Sequence, residues 1–380
     1  MPLRTKCLAA VLLIALSALA RPGAADPVRD RLETFLETTA APGVSVAWRT
    51  AQDASAIALG MADPDRDTAL TPEHRFLAAS IGKTFVAAEA IWLASEGALD
   101  LDAPVAALLG SNAWFASVPN ADAITPRHLL THSAGLADHV DAPEFGAMVL
   151  ASRNGDVPAP EDLIALISNR PPLFDAGAGW AYSDSGYLIV ARAIEMAGGR
   201  AWSAAVQARF LDPLGLDDTL LSDRPDLPGL AIGYTAAENP FGLSPRLADE
   251  TGALVWNPAI EGAGGGFATT PSDLVRWGAA LYSGAALPKG GLDILLDTVP
   301  VGSDRPGVSY GFGVSVIEGG PLGPSWGHAG WIPGYVSSLR HYPDHGLTVA
   351  IMVNSDDGML GPGSPFMALE SDLARMLTGR

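Results

Sequence analysis

Three short segments carry side chains able to do acyl chemistry. Ser80-Ile81-Gly82-Lys83 opens the strongest helical pattern in the first third of the chain. A spacing of three sets the lysine amine over the serine hydroxyl, one turn apart on one face. A serine at a helix N-terminus sits where the dipole favours developing negative charge on its oxygen. A lysine pressed against an apolar helix and neighbouring cations can be neutral near pH 7, and then accepts the serine proton. The second segment is Tyr182-Ser183-Asp184. A tyrosine in a tight turn before a helix can present its phenol to a cleft and relay a proton. The third, Trp326-Gly327-His328-Ala329-Gly330-Trp331, reads as a strand near the C-terminus. Its small residues let a substrate lie against the strand edge, where free N–H groups can bind an oxyanion. Each segment alone has a plainer reading: a capped helix with a surface lysine, a tyrosine buried in a turn, an ordinary edge strand. Lysine is scarce, with only Lys6, Lys83 and Lys289 in the chain. An Arg- and Ala-rich composition accounts for the scarcity but not for the place of Lys83.

The elements that must position these groups follow from periodicity. Residues 28–39 and 82–94 read as helices, and 43–48 and 56–61 as two strands joined by a polar turn. Helical stretches at 126–131, 161–167, 187–196 and 202–210 are separated by Pro- and Gly-rich loops. Strands return at 310–317, 325–329, 335–341 and 347–353, the last a continuous apolar run typical of a central strand. A closing helix starts at Pro365. Strands at both ends around a helical middle predict an α+β fold, an antiparallel sheet flanked by helices with an inserted helical lobe. The expected α/β lobe takes residues 26–100 and 225–380, and the helical lobe 101–224. Chemistry belongs between the two.

Composition removes several alternatives. The 380 residues carry 23 Lys and Arg against 42 Asp and Glu, a net charge of −19, so the basic stripe that binds nucleic acid is missing. Two bases and then an apolar run over 7–20 match a secretory signal, with cleavage expected near Ala25 and a periplasmic destination. That run is too short for a transmembrane anchor, which takes roughly 18 apolar residues or more. The single cysteine, Cys7, falls within the segment to be removed, so the mature chain offers no disulfide, no cysteine nucleophile and no cysteine metal ligand.

Four partial motifs fail on inspection. Gly82-Lys83-Thr84 ends like a phosphate loop, but Leu77 stands where the first glycine is required. His128 and His132 stand four apart on the predicted helix. Leu129 replaces the zinc-protease glutamate between them, so packing or capping is the expected role and no metal is assigned. Gly264-Gly265-Gly266 lacks the third glycine of a dinucleotide fingerprint, and no Gly-x-Ser-x-Gly elbow occurs. No cofactor is implied.

Taken in order, the three segments resemble the serine β-lactamase and DD-peptidase superfamily, in its branch of class C β-lactamases, DD-carboxypeptidases, D-aminopeptidases and related esterases. Three further segments are similar to that branch: residues 124–136 (Ile-Thr-Pro-Arg-His-Leu-Leu-Thr-His-Ser-Ala-Gly-Leu), Pro213-Leu214-Gly215-Leu216, and residues 264–270 (Gly-Gly-Gly-Phe-Ala-Thr-Thr). The resemblance covers essentially the whole chain after residue 25. It implies that Ser80 is the acylated nucleophile, Lys83 its proton acceptor, and Tyr182 the group that shuttles a proton to the leaving group and activates the deacylating water. It also implies an oxyanion hole from the backbone N–H groups of Ser80 and Trp331, with Asp184, His328, Ala329 and Gly330 lining the substrate site. Two departures bear on the substrate. Asp184 stands where the branch most often has Asn, so an amide donor is lost, and its carboxylate would hold Lys83 protonated. His328-Ala329-Gly330 replaces Lys-Thr-Gly, which removes the cation and hydroxyl that grip a substrate carboxylate. The implied enzyme is an exported serine hydrolase of small esters or peptide amides, including cell-wall-derived ones, with weak or no β-lactamase activity. The alternative is a catalytically silent binding or sensing domain on the same fold.

Overall fold

The computed structural model describes residues 26–303 and 305–379; the expected secretory segment, with Cys7, lies outside the described residues. Twelve strands form two sheets: β1 Gly43–Arg49, β2 Ala54–Asp63, β3 Thr68–Ala69, β4 Phe76–Leu77, β5 Leu220–Leu221, β6 Phe267–Thr269, β7 Val299–Pro300, β8 Val308–Tyr310, β9 Ser315–Ile317, β10 Ser325–Ile332, β11 Tyr335–Tyr342 and β12 Leu347–Val353. The main sheet has nine strands in the order β3-β2-β1-β12-β11-β10-β9-β8-β7, and β4-β6-β5 make a small second sheet. Every pairing in the main sheet is antiparallel. The α+β reading with a flanked antiparallel sheet therefore describes this protein.

Position in the sheet follows from hydrophobic pattern. All seven residues of β12 are buried, as a strand covered on both faces requires. On one face lie the helices Pro27–Thr38 and Pro365–Thr378, tied together by Arg31 and Asp372 at 2.9 Å. The other face packs against the Pro271–Tyr282 and Lys83–Ser95 helices, which belong to the larger core. Phe85 stacks on Trp277 at 4.2 Å, and Trp277 Nε1 donates to Thr84 Oγ1 at 2.8 Å. Truncating either ring would cost about 3–5 kcal/mol. Between residues 101 and 224 the chain forms helices and loops, with β5 as its one strand.

Two expectations need correction. Residues 310–317 are not one strand but the hairpin β8–β9, which turns through Gly311-Phe312-Gly313-Val314. Gly313 has φ +67°, and a Cβ there would come 2.8 Å from the Lys83 carbonyl oxygen, so the turn needs glycine on both counts. Secondly, the 126–131 helix stops at Leu130, and His132 adopts a left-handed φ of +57° beyond it. The two histidines thus do not share a helix face. His128 instead completes a capping box with Thr125.

Candidate functional site

Ser80 lies in a single 3-10 turn, Ala79–Gly82, that runs directly into the Lys83–Ser95 helix. The turn is held by backbone approaches that only glycine permits. A Cβ on Gly82 would sit 1.9 Å from the Gly265 carbonyl oxygen, and one on Gly330 would sit 2.3 Å from that of Ala78. Gly264–Gly266 and β10 are therefore close supports of the Ser80 turn. Ser337 Oγ adds a hydrogen bond to Ala78 O at 2.9 Å. Ala79, just before Ser80, has φ +48°, a strained conformation for a residue with a Cβ.

Lys83 is wholly buried. Its Nζ donates to Ser80 Oγ at 3.1 Å and to the Gly264 carbonyl, and it pairs with the Asp184 carboxylate. Burial alone would lower its pKa. The Asp184 carboxylate, by its charge and its hydrogen bond, outweighs that effect, so the amine is held well above its ordinary value. The expectation of a neutral lysine among cations gives way here: the neighbours are acids, and Lys83 rests as an ammonium ion.

Tyr182 faces both groups. Its hydroxyl is buried beside Lys83 and Ser80 with no completed hydrogen bond. Burial pushes its pKa up to about 12, despite the opposing pull of Lys83. The Tyr182 turn is braced by its neighbour loop. Ser183 N donates to His132 Nδ1 at 3.2 Å, Ala181 N donates to His132 O at 3.0 Å, and Ser183 Oγ donates to Ala137 O at 2.8 Å. His132 is thus a brace, with its ring 4.1 Å from that of Tyr182. The Asp184–Gly198 helix begins immediately afterwards and carries Asp184 in its first turn.

Of the remaining expected residues, His328, Ala329, Gly330 and Trp331 all border one cleft of about 680 Å³ that also contains Ser80, Tyr182 and Asp184. His328 is not a free cation. Its Nε2 bonds Tyr310 Oη at 2.7 Å, its Nδ1 bonds the Ala329 carbonyl, and burial drives its pKa down to about 3. Ala329 is exposed on β10.

Two residues that sequence reasoning missed complete the picture. Asp138 accepts from Asp184 N at 3.1 Å, and burial followed by the Asp184 charge pushes its pKa up to about 7. Glu261 also borders the cleft. Burial, then Asp184, raises it to about 8, and its Oε2 has no partner. Three carboxyls thus surround one ammonium. A signal existed: Glu261 is the single charged residue between Trp256 and Gly266, and Asp138 follows Leu136 of the 124–136 segment by two positions. Aromatic walls from Phe145, Phe241 and Trp256 adjoin these acids in the cleft. Among the described residues no group of His, Cys, Asp and Glu side chains is arranged to hold a metal ion. No helix among them is long and apolar enough to cross a membrane.

Comparison with known proteins gives the family of the chain. The family described as beta-lactamase matches residues 28–368. Penicillin-binding protein 4* of Bacillus subtilis (strain 168) is 26% identical over 306 residues, 78% of this chain, but the chain spans only 64% of that protein's length. Esterase EstB of Burkholderia gladioli is 29% identical over 335 residues, 80% of this chain and 84% of its own. Among solved structures, a D-stereospecific amidohydrolase from Streptomyces sp. superposes with a TM-score of 0.76 at 28% identity, covering 87% of this chain and 94% of that one. With a match across most of its length and the same sheet-and-helix architecture, the chain belongs to the β-lactamase family, whose members include homologues named as penicillin-binding proteins and an esterase.

Proposed function

We propose that this protein is an exported serine hydrolase that cleaves a small ester or amide through an acyl-enzyme on Ser80. The observation that carries the reading is the Lys83 Nζ–Ser80 Oγ contact of 3.1 Å at the mouth of a cleft, with Tyr182 against the same pair. Because Lys83 rests charged, acylation needs a relay. Lys83 passes a proton to Asp184 as it takes one from Ser80, and Ser80 Oγ attacks the substrate carbonyl carbon. The backbone N–H groups of Ser80 and Trp331 receive the oxyanion. As the tetrahedral intermediate collapses, Tyr182 delivers a proton to the leaving group; as a phenolate it then takes one from the deacylating water, and the proton on Asp184 returns through Lys83 to Ser80 Oγ as the acyl group departs. Residues 1–25 fit this reading as the export signal.

The acids sharpen the substrate class. Asp184 is matched by Lys83, whereas Asp138 and Glu261 have no cation of their own. Buried carboxyls beside aromatic walls favour an acyl part that carries an amine, because an ammonium would draw Asp138 and Glu261 back to their charged forms and pair with them. Loss of a fixed cation at His328 disfavours a free carboxylate, and with it β-lactams.

Intact-mass measurement after mixing with p-nitrophenyl acetate, with Ser80→Ala alongside, tests the reading. An acetyl adduct or turnover that vanishes in the variant supports it. Equal turnover in both proteins overturns it, and no adduct or turnover with esters or amino acid amides would leave the binding domain as the better account. A parallel sample with a penicillin is expected to show little or no adduct.

A further inference from the structure

We infer that the cleft continues around the open edge of β10 into an apolar gallery that takes an unbranched alkyl chain of the substrate. The inference rests on the hydrolase reading above. β9 pairs only with Ser325, Trp326 and Gly327 of β10, so this edge carries no paired strand from His328 to Ile332. Side chains alternate across a strand. Gly330 faces the nucleophile turn, as its approach to Ala78 requires. Its neighbour Trp331 lies where the two cores meet, packed against the smaller cluster that includes Val336, Met359 and Phe366 and also against the larger one. These residues border the same cleft as Ser80 and Tyr182. One continuous space thus reaches both faces of the sheet.

Trp331 stands fixed at the passage. Its Nε1 donates to Asp356 Oδ2 at 2.9 Å, and Phe241 stacks on its ring at 6.1 Å. Beyond it, Leu360 and Met367 border the cleft while 49% and 53% exposed. Single exposed apolar residues are ordinary. Here two of them extend a buried apolar floor that begins beside a nucleophile, which is how a chain-binding channel is built. At the far end Arg340 Nε donates to Glu370 at 2.9 Å while Arg340 Nη1 is buried without a partner, so the apolar walls stop at a polar end. An alkyl chain is the occupant that uses these walls.

The test is a chain-length series in two arms, because the chain could belong to either half of an ester. One arm uses p-nitrophenyl esters from acetate to octanoate, the other acetate esters from ethyl to octyl. Each methylene that enters the gallery should raise kcat/KM by up to about fourfold. At least one arm should therefore rise tenfold or more from its shortest to its longest member. Met367→Asp and Leu360→Asp should flatten that rise. Met376→Asp, on the same helix but outside the cleft, should keep it. Two flat arms, or a rise that survives both cleft substitutions, would overturn the gallery while leaving the hydrolase reading intact. If no ester is turned over, calorimetric titration of Ser80→Ala protein with 1-octanol decides the matter separately. Binding that Met367→Asp removes upholds the gallery, and absence of binding overturns it.

Discussion

On the strand wall of the cleft, Gly82, Gly265 and Gly330 bring backbone onto backbone, and the Ser80 turn is wedged between β10 and the Gly264–Gly266 segment. On the opposite wall, Asp138, Asp184 and Glu261 converge from three separate stretches of chain onto one ammonium. The first wall is rigid because nothing larger than hydrogen fits at the contacts. The second holds one ion pair beside two carboxyls that burial pushes towards their protonated forms, and it leaves Glu261 Oε2 and Tyr182 Oη without partners. Geometry is held on one side and electrostatics on the other.

The sharpest way to break this contrast is at the shared residues. Ser80→Ala should lower turnover by at least about 10³-fold with the fold unchanged by circular dichroism. Lys83→Ala should match that loss, but it should also lower the melting temperature, because Asp184 is left without its cation. Removing one partner of a buried pair costs about 3–5 kcal/mol. An equal melting temperature in the two variants would mean that the acids do not depend on Lys83.

Next in size is the strand wall. Gly82→Ala places a Cβ 1.9 Å from a carbonyl oxygen, backbone against backbone. Overpacking of this kind should cost about 3 kcal/mol in a denaturant titration. A variant as stable as the parent would show that the turn can move away from Gly265.

The acid wall should respond to pH instead. The carboxyl of Glu261 is raised from its ordinary value to about 8, so the folded state holds a proton that the unfolded chain releases near pH 4.5. Its contribution to stability is therefore lost as pH rises between those values. Glu261→Gln should stabilise the protein at pH 8 by on the order of 2 kcal/mol, a figure reduced because the carboxyl borders the open cleft. The difference should vanish near pH 4. A constant difference across that range would place Glu261 outside the charge cluster.

The smallest effect concerns selectivity. Asp184→Asn restores an amide donor and removes the ion pair with Lys83, and should move the ratio of amide to ester hydrolysis severalfold towards amides. An unchanged ratio, measured on an amino acid amide and its methyl ester, would show that position 184 does not contact the acyl part.

The same contrast explains what could be read without coordinates. Ser80 and Lys83 were legible because one helical turn relates them, and β12 because six apolar residues broken only by Thr348 have few other uses. Local signals failed where the chain broke its own period. Gly311 and Gly313 turn 310–317 into a hairpin, and His132 leaves the helix in a left-handed conformation. The convergence of Asp138, Asp184 and Glu261 had no local signature at all. No periodicity relates positions so far apart, and only the packed fold brings their charges within reach of one another.

The pairing at the sheet's centre carries a consequence for how the molecule comes into being. Val44 of β1 lies opposite Val353 of β12, and β12 in turn lies beside β11 and then β10. Contacts between such distant parts of a chain make folding slow. Emerging from the ribosome, β1 and the Ser80 turn must wait, unpartnered on that side, until residues 325–353 have been synthesised. The Ser80 turn therefore lacks its β10 support in the nascent chain until residues 325–332 arrive, and a translation product that stops before them leaves that turn without its strand wall.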